Sequence, residues 1–195
     1  VHTMTEVNQA LSRGEYFWTD IIRDGIILYE LPGVPFARPQ PMTAKDAAEM
    51  ARGYFDAKRA DTARWLTTAD FQLQQAKGDP GFKKHAAFSL HQAVETAYVC
   101  ALLVHTFSFP RSHNIKFLRS LAEDVDQGLT AAWPREGRPE RRRFEMLKRA
   151  YVEARYGDHY DISLEDLEAL SASAKGLAAL VATVCEARLA VLRNT

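Results

Sequence analysis

The sequence predicts an all-α protein: a bundle of four or five helices that follows a short N-terminal extension of mixed structure. Two observations predict this class. From Thr43 onward, apolar residues recur at intervals of three and four, which is the periodicity of helices with a buried face. Groups of glycine and proline then divide this pattern into long segments, as expected for separate helices joined by loops.

Each helical segment has a recognisable boundary. The second helical segment, residues 82–107, is apolar on most of its circumference, which is typical of a helix at the centre of a bundle. Gly157 follows the fourth and can supply the left-handed residue of a helix C-terminus. Ser163 and Asp166 resemble a capping box at the start of the last. The segments span residues 43–77, 82–107, 113–126 and 140–156 and, after Ser163, about 28 residues more.

The chain divides into an extension with a proline-rich linker, residues 1–41, and the helical domain, residues 42–195. In the extension, a small helix is expected before the apolar run Gly25 to Tyr29, which is predicted to be extended. A single strand cannot satisfy its own backbone hydrogen bonds, so this piece needs a partner. Residues 32–41 contain four prolines and one glycine, a composition typical of a linker.

Composition excludes several classes of protein. The 25 basic and 25 acidic residues balance, so no broad charge attracts the chain to nucleic acid or to a membrane surface. Cys100 and Cys185 lie in apolar stretches, which favours a reducing compartment, and we therefore expect a cytoplasmic protein without disulfides. The most apolar run, residues 94–107, is shorter than the roughly 20 residues of a membrane-spanning helix and contains Glu95 and His105, so no membrane association is expected.

The usual catalytic signatures are absent from the sequence. It contains no glycine-rich phosphate loop, His-Glu-x-x-His, Cys-x-x-Cys or Gly-x-Ser-x-Gly motif. The pair Asp124 and Asp126 has the spacing of a metal-binding carboxylate pair but lies at the end of a predicted helix, where we interpret it as solvated. We therefore expect neither a metal nor a cofactor.

Two clusters of polar residues have chemical potential on the second and third predicted helices. His91 and Glu95 lie on one face of an otherwise apolar helix and either form an internal hydrogen-bond network or line a ligand cleft. Residues 111–116, Arg-Ser-His-Asn-Ile-Lys, start the third helix, where free N–H groups together with His113 and Lys116 favour phosphate, although the same residue types also serve as ordinary caps.

A third cluster follows the fourth helix, at residues 155–160, Arg-Tyr-Gly-Asp-His-Tyr. A tight turn at Gly157 would bring Arg155 and His159 onto one anion, with the imidazole as proton carrier. The alternative is that Arg155 pairs with a carboxylate such as Asp158 or Glu95. Residues 135–149 carry seven basic side chains against three glutamates, which indicates either a nucleic-acid contact or, more commonly, a solvated helix face.

The order of these clusters resembles the higher eukaryotes and prokaryotes nucleotide-binding (HEPN) family. The resemblance covers about residues 45–190 and depends on three motifs in sequence. They are Ala86-Ala87-Phe88-x-x-His91-Gln92-Ala93-x-Glu95, Ser112-His113-Asn114-x-x-x-Leu118, and Phe144-x-x-Leu147-Lys148-Arg149-Ala150-Tyr151-Val152-x-Ala154-Arg155-Tyr156.

The resemblance implies an up-and-down four-helix bundle that forms a homodimer with a ligand cleft near the dimer contact. Many members are metal-independent endoribonucleases, often toxins, in which four to six residues separate an arginine from a histidine. Here only three residues separate Arg155 from His159, the candidate catalytic pair. The candidate ligand or phosphate contacts are Arg155, His113, Lys116, Glu95, His91 and Tyr160.

More narrowly, the chain resembles the branch fused behind a minimal nucleotidyltransferase, whose end is similar to Phe17-x-x-Asp20-Ile21-x-x-Asp24-Gly25-Ile26-x-Leu28-Tyr29. That likeness implies a transferase domain or chain as a partner. Three hypotheses result. The chain is a dimeric module that binds a nucleotide or RNA phosphates beside a transferase, an endoribonuclease giving 2′,3′-cyclic phosphate ends, or a structural dimerisation domain.

Overall fold

The fold is taken from a computed structural model, in which residues 1–133, 135–157 and 159–194 are described. Within these residues the chain forms α-helices and one short 3₁₀ helix and no β-strand, which confirms the all-α prediction. The α-helices are α1 (Met4–Ser12), α2 (Tyr16–Asp24), α3 (Ala44–Gln75), α4 (Phe82–Thr106), α5 (Ile115–Val125), α6 (Arg138–Tyr156) and α7 (Leu164–Arg193), and the 3₁₀ helix spans Gln127–Ala132.

Helix α4 is the centre of the bundle. It packs against α3, α5, α6 and α7, and 15 of its 25 residues are buried. It is also the one helix in the described part of the chain that is long and apolar enough to cross a membrane. Because 78% of its apolar window is buried inside the bundle, we interpret it as a core helix.

Helices α5 and α7 begin at a side-chain cap, and the end of α6 differs from its prediction. The side chain of Ser163 accepts a hydrogen bond from the backbone N–H of Asp166 and so caps α7. Asn114 caps α5 by accepting from the N–H groups of Lys116 and Phe117. The exception is Gly157, which ends α6 with φ −94° rather than in the left-handed conformation. Glycine fits there because a Cβ would lie 2.8 Å from the carbonyl oxygen of Glu153.

The N-terminal extension differs from its prediction. Instead of one helix and an extended strand, it contains α1 and α2, and the apolar run after Gly25 is neither helix nor strand. The proline-rich segment is not a free linker, because Asn8 of α1 donates to the carbonyl of Pro35 and accepts from the N–H of Ala37. Gly14 joins the helices with φ +71° and lies so close to Met42 that a side chain would clash.

Candidate functional site

Four side chains from three separate parts of the chain meet beside the centre of the bundle. Glu95 comes from α4, His113 precedes α5, and Tyr151 and Arg155 lie one turn apart on α6. We call this group the α4–α6 site. The i, i+4 spacing on α6 places the phenol and the guanidinium on one face, turned toward α4.

Glu95 and His113 form a carboxylate–imidazole pair. The Nδ1 atom of His113 lies 3.1 Å from both carboxylate oxygens of Glu95, and Gln92 donates to one of them at 3.2 Å. The side chain of Glu95 is 17% exposed and that of His113 is 56% exposed. When Nδ1 carries the proton, the carboxylate fixes the ring and leaves Nε2, which has no partner among the described residues, as a free acceptor.

The ring of Tyr151 is the floor of the site. His113 stacks on it at a centroid distance of 4.2 Å and an interplanar angle of 16°. The Cζ atom of Arg155 lies 4.4 Å from the same centroid and 4.9 Å from that of Phe88. Imidazole and guanidinium therefore share one aromatic neighbour.

Arg155 is exposed but oriented. Its Nε donates to the carbonyl of Tyr151 at 2.7 Å, and its guanidinium also lies 5.1 Å from the ring of Tyr156. No carboxylate among the described residues pairs with it, and Glu95 binds His113 instead. Asp158, the other partner considered, lies outside the described residues. The terminal nitrogens of Arg155 are therefore available to an anion such as phosphate.

His91 lies beneath the site and is fully buried. Its Nδ1 is 3.7 Å from Glu95, too far for a hydrogen bond, and neither ring nitrogen has a partner among the described residues. Burial lowers the pKa of His91 to about 4; the backbone of His113 opposes this shift, and the charges of His113 and Arg155 add to it. The ring is therefore neutral at neutral pH, and it supports Tyr151 at a centroid distance of 5.3 Å.

A lysine fixes the end of α6 to the start of α4. The Nζ atom of Lys84 donates to the carbonyl oxygen of Gly157 at 2.8 Å. This contact closes α6 two residues beyond Arg155 and holds the helix end against α4. The position of the guanidinium therefore depends on packing between α4 and α6 as well as on its own rings.

The structure does not bring Arg155 and His159 together. His159 is exposed and lines a shallow concavity of about 270 Å³ with Arg142, Met146 and Arg149. Those three residues form one face of α6. At 100° per residue, Tyr151 lies about 200° around the helix from Arg149, and Arg155 lies one turn after Tyr151 on the same face. Arg155 and His159 therefore lie on opposite sides of α6.

Two other candidates are placed elsewhere. Tyr160 is buried in the core, 6% exposed, and its hydroxyl donates to the carbonyl of Met146, so it serves packing. Lys116 is exposed and lines a concavity with Arg119 and Glu123 that does not include Arg155. At the start of α5, two of the free N–H groups, those of Lys116 and Phe117, are already bound by Asn114.

The basic run of residues 135–149 is largely neutralised within the chain. Its arginines form ion pairs with carboxylates of α5, α6 and α7, which supports the interpretation as a solvated helix face. The pairs are Arg135 with Glu123, Arg142 and Arg143 with Asp166, Arg143 with Glu165, Lys148 with Glu145, and Arg149 with Glu153.

Sequence reasoning missed the aromatic part of the site. Phe88 and Tyr151 enter the sequence analysis only as members of the resemblance motifs, yet their rings lie next to the guanidinium of Arg155. The available signal was the i, i+4 spacing of Tyr151 and Arg155, which places a ring beside a cation on any helix. That spacing does not show that the ring also stacks on His113, because the start of α5 is remote in sequence.

Comparison with known proteins identifies one family. The family model described as HEPN domain matches residues 62–184, which is more than half of the chain. The match contains every residue of the α4–α6 site. A comparison with curated proteins finds no match.

Proposed function

The chain belongs to the HEPN domain family, and from this premise we propose that it binds a nucleotide or the phosphates of RNA at the α4–α6 site. One observation supports the proposal most strongly. Arg155 is exposed and held over aromatic rings, and no carboxylate among the described residues neutralises it. A guanidinium in that state offers two parallel N–H groups to a phosphate.

The other groups of the site suit a phosphate ester. Each hydrogen bond to a charged partner contributes about 1.5 to 3 kcal/mol. His113 adds a second hydrogen-bonding group, and its Nδ1 is in contact with both carboxylate oxygens of Glu95. The exposed ring of Tyr156, 76% exposed beside Arg155, offers a flat surface on which a base can stack.

The proposal also includes partners and a compartment. We propose that the chain works as a homodimer beside a nucleotidyltransferase domain or chain, which the likeness of residues 17–29 to the end of such a domain supports. A cytoplasmic location is proposed because Cys100 and Cys185 are free and buried.

A thermal-shift titration with ATP, other nucleotides and a short RNA tests the binding proposal. We expect at least one of them to raise the melting temperature, since a ligand selective for the native state stabilises it. Arg155→Ala is expected to weaken binding about 10- to 100-fold, the equivalent of losing one charge-assisted contact. Arg149→Ala, on the other side of α6, is the matched control and should bind as wild type does.

Two results would contradict the proposal. One is no shift with any of these ligands at millimolar concentration. The other is an Arg155→Ala variant that folds, by circular dichroism, and binds as tightly as wild type. The first result would leave the third hypothesis, a purely structural dimerisation domain, and the second would place the binding site elsewhere in the chain.

A second candidate function is metal-independent cleavage of RNA, favoured by the orientation of His113. Glu95 holds Nδ1, so Nε2 can take the proton of a ribose 2′-OH while Arg155 binds the phosphate. The 2′ oxygen then forms a bond to phosphorus and the bond to the 5′ oxygen breaks. Water supplies the proton of the leaving 5′-OH, and the other product carries a 2′,3′-cyclic phosphate.

Cleavage of a short RNA in EDTA tests this candidate function and identifies the histidine that acts as the base. If His113 is the base, His113→Ala abolishes the activity and His159→Ala leaves it unchanged, because His159 lies on the other side of α6. Product ends are identified by mass spectrometry. RNA that stays intact during long incubation with the pure protein excludes this candidate function. Loss of activity in His159→Ala would show that His159, and not His113, acts as the base.

A further inference from the structure

A small cavity opens between α3 and α7 and has α4 as its floor. Its volume is about 230 Å³. Ala63 and Ala179 are exposed at its mouth, whereas Ala97 and Cys100 of α4 are 2% and 1% exposed and lie at its inner end. We call this cavity the α3–α7 pocket. None of its lining residues belongs to the α4–α6 site.

Small side chains leave this space between the helices. Alanine supplies five of the eleven lining residues, and the five come from all three helices. Protein interiors are normally packed as densely as organic crystals, so an unfilled space of this size is unusual between packed helices. A cavity of about 150 Å³ is enough to hold benzene. In the same proportion, the α3–α7 pocket has room for a chain of about nine carbon atoms.

The inner part of the α3–α7 pocket is apolar. Phe55 and Val181, which are buried, are among its lining residues. The one hydroxyl group on the lining, that of Thr62, already donates to the carbonyl of Lys58 at 2.9 Å. Apart from one arginine and the weakly polar thiol of Cys100, no lining side chain offers a further hydrogen-bond donor. The buried part of a ligand must therefore be hydrocarbon, because a polar group would lose its hydrogen bonds to water there.

One arginine lies at the mouth of the pocket. Arg59 is exposed and lines the pocket, and its Cζ atom is 5.7 Å from the ring centroid of Phe55. Because that ring lines the pocket as well, the contact between cation and ring keeps the guanidinium beside the pocket. A guanidinium offers two parallel N–H groups to a carboxylate. The pocket therefore combines an apolar interior with an anion-binding group at its entrance.

No carboxylate among the described residues forms an ion pair with Arg59. Two acids lie in its neighbourhood, and Arg52 binds both. Arg52 donates to the two carboxylate oxygens of Glu186 at 3.2 and 3.0 Å and lies 3.5 Å from Asp56. The hydrogen bond from Arg52 is the main reason why the pKa of Glu186 is below its usual value, and the charge of Arg59 adds a smaller effect. Arg59 is therefore a single positive charge that remains available to a ligand.

We propose that the α3–α7 pocket binds a straight-chain carboxylate of about six to nine carbon atoms, with its hydrocarbon chain directed toward α4 and its carboxylate on Arg59. One carboxylate matches the one unpaired charge at the mouth. A phosphate monoester would bring a second negative charge into the neighbourhood of Glu186, which disfavours that class of ligand. The inference goes beyond the proposed function and does not depend on it, because the two sites share no residue.

Isothermal titration calorimetry with straight-chain carboxylates from butanoate to dodecanoate, each below its micelle concentration, is the test. While the chain still enters the pocket, each added methylene should tighten binding about fourfold, the equivalent of about 0.8 kcal/mol. The gain should stop near about nine carbon atoms, because further methylenes stay in water. Octanoate is expected to bind with a dissociation constant on the order of 1 mM or below.

Variants locate the ligand within the chain. Arg59→Gln removes the charge at the mouth and should weaken octanoate binding about 10-fold while leaving octan-1-ol binding unchanged. Arg64→Gln neutralises another exposed arginine of α3 that does not line the pocket, and this matched control should bind octanoate as wild type does. Ala182→Phe places a ring in the pocket and should abolish binding of both ligands. Ala178→Leu, one turn earlier on α7, adds a smaller side chain and replaces Ala182→Phe if circular dichroism shows that the phenylalanine variant does not fold.

Four results would overturn the carboxylate proposal. They are no octanoate binding at about 10 mM, an affinity that keeps rising through dodecanoate, an equal loss in Arg59→Gln and Arg64→Gln, and a folded pocket-filling variant that binds octanoate as tightly as wild type. The first and last would show that the pocket takes no such ligand, and the other two that the chain binds it without the size limit or the cation assigned here. Arg155→Ala should bind octanoate as wild type does, so failure of nucleotide binding at the α4–α6 site is distinguishable from failure of this proposal.

Discussion

Replacing Glu123 with alanine is expected to lower the free energy of unfolding by about 3 to 5 kcal/mol, because it leaves a nearly buried arginine without its counter-charge. Glu123 is 7% exposed, and the side chain of Arg119 is 11% exposed. Burial alone would raise the pKa of Glu123, but hydrogen bonds from Arg135 and Arg119 hold it below the usual value. The carboxylate is therefore charged at neutral pH and tied to both guanidiniums.

The geometry around Arg119 explains why no other group can replace the lost carboxylate of Glu123. Its Nε donates to Glu123 at 2.7 Å, its Nη2 donates to the carbonyl of Trp133 at 3.2 Å, and its guanidinium lies 4.8 Å from the ring of Phe144. These contacts tie α5 to α6 and to the end of the 3₁₀ helix. Without the carboxylate, the guanidinium must either stay desolvated and unpaired or break this packing to reach water.

Urea denaturation of three variants checks the argument. Glu123→Gln keeps the volume and one acceptor, so its loss should be smaller than that of Glu123→Ala. The double variant Arg119→Met with Glu123→Leu should recover much of the stability, since an apolar replacement removes both charges together. Glu153→Ala, which breaks an exposed pair with Arg149, is the control and should have a much smaller effect. A loss below about 1 kcal/mol for Glu123→Ala would contradict the expected burial penalty.

The fold was predictable because its helices depend on local signals. The 3–4 periodicity located α3 to α7, and Ser163 marked the start of α7 to the residue. The extension was not predictable in the same way, because the run Ile26 to Tyr29 has the composition of a strand but no partner strand among the described residues. A strand needs hydrogen bonds from another segment, whereas a helix satisfies its own.

The candidate site was only half predictable, for a related reason. His91, Glu95, His113 and Arg155 each follow from residue type and position on a helix, and they do gather at one place. The pairing of Arg155 with His159 depended on the path of the chain after Gly157, which local sequence does not determine. That path continues to Tyr160, whose ring enters the core on the other side of α6, and it takes His159 away with it.

The difference between the two histidines matters for function. His113 is held by a carboxylate and a ring and lies beside the arginine, whereas His159 lines a separate concavity. The arginine and the histidine that share an aromatic neighbour in this chain are therefore Arg155 and His113, and the histidine comes from the start of α5. The chemistry requires the two groups to converge in space, and their separation along the sequence is secondary.

His91 is expected to make the protein sensitive to acid over the range from about pH 6.5 to about pH 4. In the unfolded chain a histidine has a pKa of about 6.5, whereas burial lowers the pKa of His91 in the folded protein to about 4. Between these values the unfolded state binds more protons than the folded state, so stability falls as the pH falls. At 1.36 kcal/mol for each pKa unit, the full loss is about 3 kcal/mol.

Replacing His91 with leucine, which has a similar volume, should remove this sensitivity. Neither ring nitrogen has a hydrogen-bond partner among the described residues, so at pH 7 the variant should be as stable as wild type or slightly more stable. Between pH 7 and pH 4, the free energy of unfolding of the variant should rise by about 3 kcal/mol relative to that of wild type. His85→Leu removes an exposed histidine from the same helix, and its curve should run parallel to that of wild type. Parallel curves for wild type and His91→Leu would mean that this imidazole accepts a proton inside the fold, with Glu95 close enough to stabilise the charge.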